Sequence, residues 1–169
     1  FANNFRFSLN YLIDEFVIDS KVQIGKEHGK AFSCRIAYTP VLSNKSVFIV
    51  HGSMVYVGTP TFRHMKGANN FVQNRRPLGW EKGSDGQDFN LGLNFFNQKN
   101  LMTKLLIGYY KIGEESINDR VFDPYFDYIS GNFPSGAVSK AFYFNSSCDY
   151  WRDDSFSIFA EFNWNQNTG

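Results

Sequence analysis

Hydrophobic and polar residues alternate with a period of two along most of this chain, a pattern typical of β-strands with one apolar face. The clearest alternating runs are 5–11, 88–95, 101–109 and 156–164, and less regular runs lie at 30–39, 46–58 and 137–145. The pattern predicts about seven strands and no helix. Residues 11–16 are also compatible with the start of an amphipathic helix, but the alternation before them favours a strand.

The predicted strands are long, about 9–12 residues each, near the length that a tilted transmembrane strand needs. One face of each carries Phe, Leu and Ile, and the other carries polar residues and Gly. In a membrane barrel the apolar side chains face lipid and the polar ones face the lumen. The side chains that we expect in the lumen are Asp88, Asn90, Asn94, Lys104 and Glu161.

The connections between the predicted strands alternate in length. Residues 97–100 form a tight turn and 40–45 a short link, whereas 59–86 and 113–136 are long and rich in Gly, Pro, Asn and charge. Short periplasmic turns and long outer loops are typical of outer-membrane barrels. We therefore predict an all-β fold, an antiparallel up-and-down transmembrane β-barrel, of which residues 1–169 form part of a single domain.

The order of long and short connections raises one difficulty. If 155–165 is the last strand and runs into the periplasm, then 146–154 becomes an outer loop and the two long connections become periplasmic. One more strand restores the expected order, either near 145–150 or after Gly169. We therefore expect seven to eight strands, with residues missing from the sequence given.

Composition agrees with a β-rich chain and excludes some classes. The chain is 43% hydrophobic and 18% aromatic, and strands accept aromatic residues well. Its net charge of +1 gives no reason to expect a nucleic-acid partner. No apolar run is long enough for a transmembrane helix. Cys34 and Cys148 lack metal-site spacing, and either one disulfide or two unpaired thiols fits them.

The long connections hold the side chains that we expect to bind carbohydrate. Arginine can hold the carboxylates of acidic sugars with two hydrogen bonds, and aromatic rings can stack on sugar rings. The candidate residues are Arg63, His64, Arg75, Arg76, Trp80, Asp85, Tyr125 and Tyr128. The alternative for each is loop packing, or a lumen salt bridge to Asp85, Asp88, Glu114 or Glu115.

No pattern in the sequence predicts an enzyme, a metal site or a cofactor. The segment 79–88 lacks the acidic residue that a calcium-binding EF-hand loop has at its twelfth position. Glu114 and Glu115 are adjacent, so in a strand they point to opposite faces and cannot flank one glycosidic bond. The three histidines show no zinc-binding spacing.

Several segments together resemble the capsule-assembly Wzi family of bacterial outer-membrane proteins, in the same order along the chain. They are Arg6–Phe16, Thr61–His64, Pro77–Trp80, Gly83–Gly86, Tyr109–Glu114 and Ser135–Lys140. Members of this family are longer, so the chain resembles only the C-terminal part of one. The resemblance implies an 18-stranded outer-membrane barrel without catalysis, which holds exported capsular polysaccharide at the cell surface.

Two other functions fit the same pattern. The chain could belong to a barrel that acts as a transporter or as a subunit of a larger envelope protein complex. It could also be a soluble β-sandwich that binds carbohydrate, with its apolar face packed on a second sheet. For either barrel function the expected partner is outer-membrane lipid. For the capsule role we also expect capsular polysaccharide.

Overall fold

The computed structural model describes residues 4–16, 18, 25–40, 46–63, 72–74, 76–115, 117 and 131–168. These residues form strands and no helix. The strands in chain order are β1 (Phe5–Glu15), β2 (Gly29–Tyr38), β3 (Val47–Val57), β4 (Val72–Gln73), β5 (Arg76–Pro77), β6 (Gly86–Phe96), β7 (Leu101–Ile112), β8 (Ser139–Asp153) and β9 (Phe156–Asn167).

Seven long strands form one antiparallel sheet in the order β1-β2-β3-β6-β7-β8-β9. The short strands β4 and β5 pair with each other in the connection between β3 and β6. Each long strand pairs with the next long strand along the chain, so the sheet is an up-and-down meander. This confirms the predicted all-β, antiparallel, up-and-down arrangement. The sheet is open, with β1 and β9 as its two edges.

All seven alternating runs of the sequence are strands, including the ambiguous first one. Strand β1 continues to Glu15, so the alternative of a helix starting at Tyr11 is wrong. Tyr11 lies opposite Phe32 and Leu9 opposite Cys34, so the alternating apolar residues of β1 pair with apolar positions of β2. Side chains on neighbouring strands stabilise each other most when they match in this way.

Strand β8 is longer than its sequence suggests. It continues through residues 145–150 to Asp153, so these residues are neither a loop nor an additional strand, and that expectation is wrong. A two-residue turn at 154–155 then leads into β9. The alternation is obscured because small polar side chains, Ser146 and Cys148, lie on the face where the other strands carry Phe and Leu.

Long and short connections lie at opposite ends of the sheet. Residues 16–28, 58–85 and 113–138 connect strands at one end, here called the long-connection end. Residues 39–46, 97–100 and 154–155 connect them at the other, the short-connection end. In the predicted tight turn, the Asn97 side-chain oxygen accepts hydrogen bonds from the backbone N–H groups of Lys99, Asn100 and Leu101.

The register sorts side chains onto two faces, because residues directly opposite each other point to the same side of an antiparallel sheet. One row of the apolar face is Leu9, Cys34, Met54, Phe89, Tyr109 and Phe142. The neighbouring row on the polar face is Ser8, Arg35, Ser53, Asn90, Gly108, Tyr143 and Asn165. Cys34 and Cys148 are both free thiols on the apolar face, in β2 and β8.

The apolar face is exposed. Leu91, in the middle of β6, is 60% exposed, and apolar-face side chains of every other long strand are similarly open. The buried hydrophobic side chains of the described ranges are Val57, Ile117 and Ala141. All seven long strands belong to this one sheet, so no second sheet of long strands in the described part of the chain covers its apolar face.

We expect Gly108→Ala to destabilise the sheet. The Tyr143 side chain lies across Gly108 on the polar face, and an added Cβ would come within 2.2 Å of the Tyr143 ring. The ring is held by a hydrogen bond from its hydroxyl to Asp88, so it cannot move without losing that bond. The free energy of unfolding should fall by about 1–3 kcal/mol, measured by chemical denaturation.

Gly52→Ala is the matched control on the apolar face. Its Cβ would lie 3.2 Å from the end of the flexible Leu91 side chain, which can turn away. Equal losses of unfolding free energy in the two variants would contradict the packing of Tyr143 over Gly108.

Candidate functional site

The long-connection end is held together by the buried carboxylate of Asp85, which precedes β6. Its two oxygens accept hydrogen bonds from the Thr59 hydroxyl at 2.7 Å, the Ser135 hydroxyl at 2.5 Å and the Ser135 and Glu115 backbone N–H groups. The Asp85 backbone lies in the left-handed region with φ 58° and also accepts from Gly113. One carboxylate therefore joins both long connections to the start of β6.

A second set of contacts fastens residues 58–63 to the edge of the sheet. The Asp14 carboxylate accepts a hydrogen bond from the Phe62 backbone N–H at 2.7 Å. The Thr61 hydroxyl and the Gly58 N–H both donate to the backbone oxygen of Lys30. These bonds extend the cluster from β6 and β7 to β1 and β2.

Two of the predicted carbohydrate ligands lie inside this cluster. The Arg63 side chain is fully buried and forms a 3.0 Å ion pair with Glu115, and Asp85 is fully buried as well. Neither side chain can contact a ligand unless the cluster opens. Their surroundings match the structural alternative, in which such residues form internal salt bridges and braces.

The other predicted ligands divide into two groups. Arg76 is exposed in β5, and Trp80 is half-buried where its ring packs against Gly86 at the start of β6. His64, Arg75, Tyr125 and Tyr128 lie outside the described residues, and their carbohydrate contacts stay predictions.

The polar face carries a hydrogen-bonded network that crosses strands. The Tyr143 hydroxyl of β8 passes over β7 and donates to Asp88 of β6 at 2.8 Å. The Asn90 side-chain amide also donates to Asp88, and Ser53 of β3 donates to Asn90 at 2.7 Å. The network joins β3, β6 and β8 and gives the polar face a fixed arrangement of acceptors and donors.

A cavity of about 540 Å³ opens beside this network, below the turn at Trp80–Gly83. Its walls combine aromatic rings with polar side chains from five strands and the connection that precedes β6. The lining residues include Trp80, Lys82, Asp88, Tyr110, Tyr143 and Asn165. The Lys82 ammonium lies 4.1 Å from the centre of the Tyr110 ring, and Asn165 donates to the Tyr110 hydroxyl.

A second cavity, of about 270 Å³, continues along the polar face toward the short-connection end. It shares Leu106, Asn145 and Asn163 with the first cavity. Asn94, Lys104 and Glu161 line it, so these three predicted polar residues meet in one place. We call the two cavities together the polar groove.

The chemistry of the polar groove suits a ligand rich in hydroxyl groups. Carboxamides and tyrosine hydroxyls both donate and accept hydrogen bonds, as sugar hydroxyls do. Tyr110 and Trp80 add aromatic surface of the kind that packs against the apolar side of a sugar ring. The described residues hold no cluster of three His, Cys, Asp or Glu side chains that could bind a metal ion.

The sequence pattern predicted the polar side of this groove, and Trp80, but missed its two tyrosines. Asp88, Asn90, Asn94, Lys104 and Glu161 do share the polar face. Tyr110 and Tyr143 were missed because tyrosine fits either face of a sheet. The register across Gly108, which clears space for Tyr143, is the signal that identifies it.

The chain has no match among family models, curated proteins or solved structures. Within the described ranges, no helix is long and apolar enough to cross a membrane.

We expect Asp85→Asn to release the long connections from β6. An amide in this position keeps one acceptor but turns a donor toward the Ser135 and Glu115 donors. The free energy of unfolding should fall by about 2–4 kcal/mol, the range for breaking a buried hydrogen-bonded charge. Amide hydrogen exchange at Glu115 and Ser135 should become faster.

Glu114→Gln is the control in the same connection. The exposed Glu114 carboxylate accepts one hydrogen bond, from the Ala137 N–H, and an amide oxygen can accept it as well. Unchanged amide exchange in Asp85→Asn would show that Asp85 does not hold the connections.

Proposed function

We propose that this chain is part of a non-enzymatic outer-membrane β-barrel that holds capsular polysaccharide at the bacterial cell surface. The observation that carries the membrane half of the proposal is the exposed apolar face. Large apolar patches on a protein in water mark a surface that contacts a partner or a membrane. Here the patch extends over seven strands, from Phe7 in β1 to Phe162 in β9.

The opposite face supports the same proposal. In a soluble sandwich the apolar face packs on a second sheet and the polar face meets water. Here the only other sheet among the described strands is the short β4–β5 pair, and the polar face is crowded with cross-strand hydrogen bonds over Asp88. A membrane barrel has this arrangement, with apolar side chains outside and a polar interior.

The proposal requires strands beyond these seven. A sheet in lipid must close, because an unpaired backbone group in hydrocarbon costs several kcal/mol. Strands β1 and β9 each present a free edge, and further strands would pair there. The resemblance to the Wzi family implies an 18-stranded barrel, of which these seven strands would form a part.

The polysaccharide half of the proposal is supported by the polar groove. Its carboxamides, tyrosine hydroxyls and aromatic rings lie in one channel that opens at the long-connection end. Asp88, Asn90, Asn94, Lys104 and Glu161 would then line the lumen. Trp80 lines that channel at the long-connection end, where an exported polymer would first be met, and the exposed Arg76 lies in the same connection as Trp80.

Leu91→Arg tests the membrane position. Arginine on the lipid-facing side at the middle of a bilayer costs roughly 2–4 kcal/mol, whereas the same change at an exposed site in water costs almost nothing. For the full protein in lipid vesicles, we expect Leu91→Arg to lower the free energy of unfolding by the amount expected in a bilayer. Leu78→Arg is the control, because Leu78 is equally apolar and half exposed but lies outside the sheet.

Equally small effects of the two arginine substitutions would remove the membrane half of the proposal. So would a full protein that stays folded and monomeric in buffer without detergent. Either result would favour the soluble carbohydrate-binding alternative.

Tyr110→Ala tests the polysaccharide role. An encapsulated host that lacks the protein should shed polysaccharide into the medium, and the wild-type gene should restore retention. We expect Tyr110→Ala to restore it poorly and to weaken polysaccharide binding by the purified full protein roughly 3–10-fold, as the loss of one aromatic contact implies. Tyr11→Ala, on the apolar face of β1, should restore it fully.

Unchanged retention after deletion of the gene would contradict the capsule role and favour a transporter or a complex subunit. Equal retention by the two tyrosine variants would contradict only the placement of the polymer in the polar groove. Cleavage of glycans by the purified protein would contradict the non-enzymatic role.

A further inference from the structure

In the regularly paired part of the described sheet, the charged residues of the apolar face are lysines at the long-connection end. Outside the bulged segments near Asp14 and Arg152, the charged residues in register on this face are Lys30, Lys111 and Lys140. All three lie at the long-connection end, and no carboxylate shares the face with them in that register. The apolar face therefore ends in a positively charged border.

Two of these lysines lie directly opposite each other. Lys111 of β7 pairs in register with Lys140 of β8, and both side chains are half-buried. Like charges in directly opposite positions destabilise a sheet unless something compensates them. Neither forms an ion pair with another described residue. The pair therefore concentrates two positive charges at one point of the apolar face.

An apolar groove begins next to this pair. It has a volume of about 640 Å³ and opens on the apolar face over Gly52, between side chains that include Leu91, Ile107 and Phe144. The rings of Tyr109 and Phe142, with centres 4.6 Å apart and planes tilted by 38°, form its end toward the long connections. The lysine pair follows one same-face step further, about 7 Å along the strands.

We propose that the apolar groove and the Lys111–Lys140 pair together bind one lipid with an anionic phosphate headgroup. An acyl chain would occupy the groove, and the phosphate would lie between the two ammonium groups. The inference rests on the proposed membrane position of the sheet, but it is independent of the polysaccharide role.

A lipid accounts for the apolar groove and the lysine pair together. A groove that only met bulk hydrocarbon would need no opposed lysines, and a site for free phosphate would need no apolar groove. Lysine at the border of an apolar band extends its charged end toward the headgroups while its methylenes stay on apolar surface. The Lys111 ammonium lies 5.8 Å from the centre of the Tyr109 ring, so its charge stays beside the end of the apolar groove.

The test is competition between lipids on the full protein. The protein in a neutral detergent is titrated with phosphatidylglycerol or with phosphatidylcholine of the same acyl chains, and bound lipid is counted by native mass spectrometry. We expect phosphatidylglycerol to be retained in preference. The double variant Lys111→Gln with Lys140→Gln should lose that preference roughly tenfold, as removal of two lysine–headgroup contacts implies.

Lys99→Gln is the control, because it removes a lysine from the turn at the short-connection end. It should leave lipid retention unchanged. Stability gives a second measurement, since a bound ligand stabilises the folded state. Phosphatidylglycerol should raise the unfolding midpoint of the wild type and not that of the double variant, which in phosphatidylcholine should be at least as stable as the wild type.

Three results would overturn the inference: equal retention of the two lipids, equal preference in the wild type and the double variant, or displacement of phosphatidylglycerol by millimolar inorganic phosphate. The last would identify a free-anion site. These failures are distinguishable from failure of the membrane proposal, because Leu91→Arg reports on burial in lipid whatever the headgroup is.

Discussion

The whole structure depends on one register that continues through seven antiparallel strands. Since neighbouring residues of a strand point to opposite faces, a slip by one residue would move every apolar side chain to the polar side. The pairs Met54–Phe89, Phe89–Tyr109 and Tyr109–Phe142 show that no such slip occurs across the centre of the sheet. The polar groove and the apolar groove are two products of the same register, on opposite sides of the same five strands.

The strands could be predicted from the sequence because the period of two is a local property. The register and the depth of burial depend on residues far apart in the sequence, so the sequence pattern could not predict them. Arginine and aspartate in a long connection look like exposed ligands, but Arg63 and Asp85 are buried because each finds a partner from the other long connection. Strand β8 was predicted too short because Ser146 and Cys148 interrupt the apolar signal.

The candidate site could be predicted only as a list of polar positions on one face. Asp88 and Asn90 were placed on that face by alternation alone. The contribution of Tyr143 depends on the absence of a side chain at Gly108, one strand away, and on an acceptor two strands away. Such a contact becomes visible only when the pairing of β6, β7 and β8 is known.

The carboxylate of Asp85 has a mechanical consequence. A loop joined to the sheet only at its ends would pass any load on it to a single pair of strands. Because Asp85 ties Thr59, Glu115 and Ser135 to the start of β6, a pull on either connection is divided among β3, β6, β7 and β8. The hydrogen-bond ladders between these strands then resist the load together, so the connections withstand a greater load than any one hairpin could.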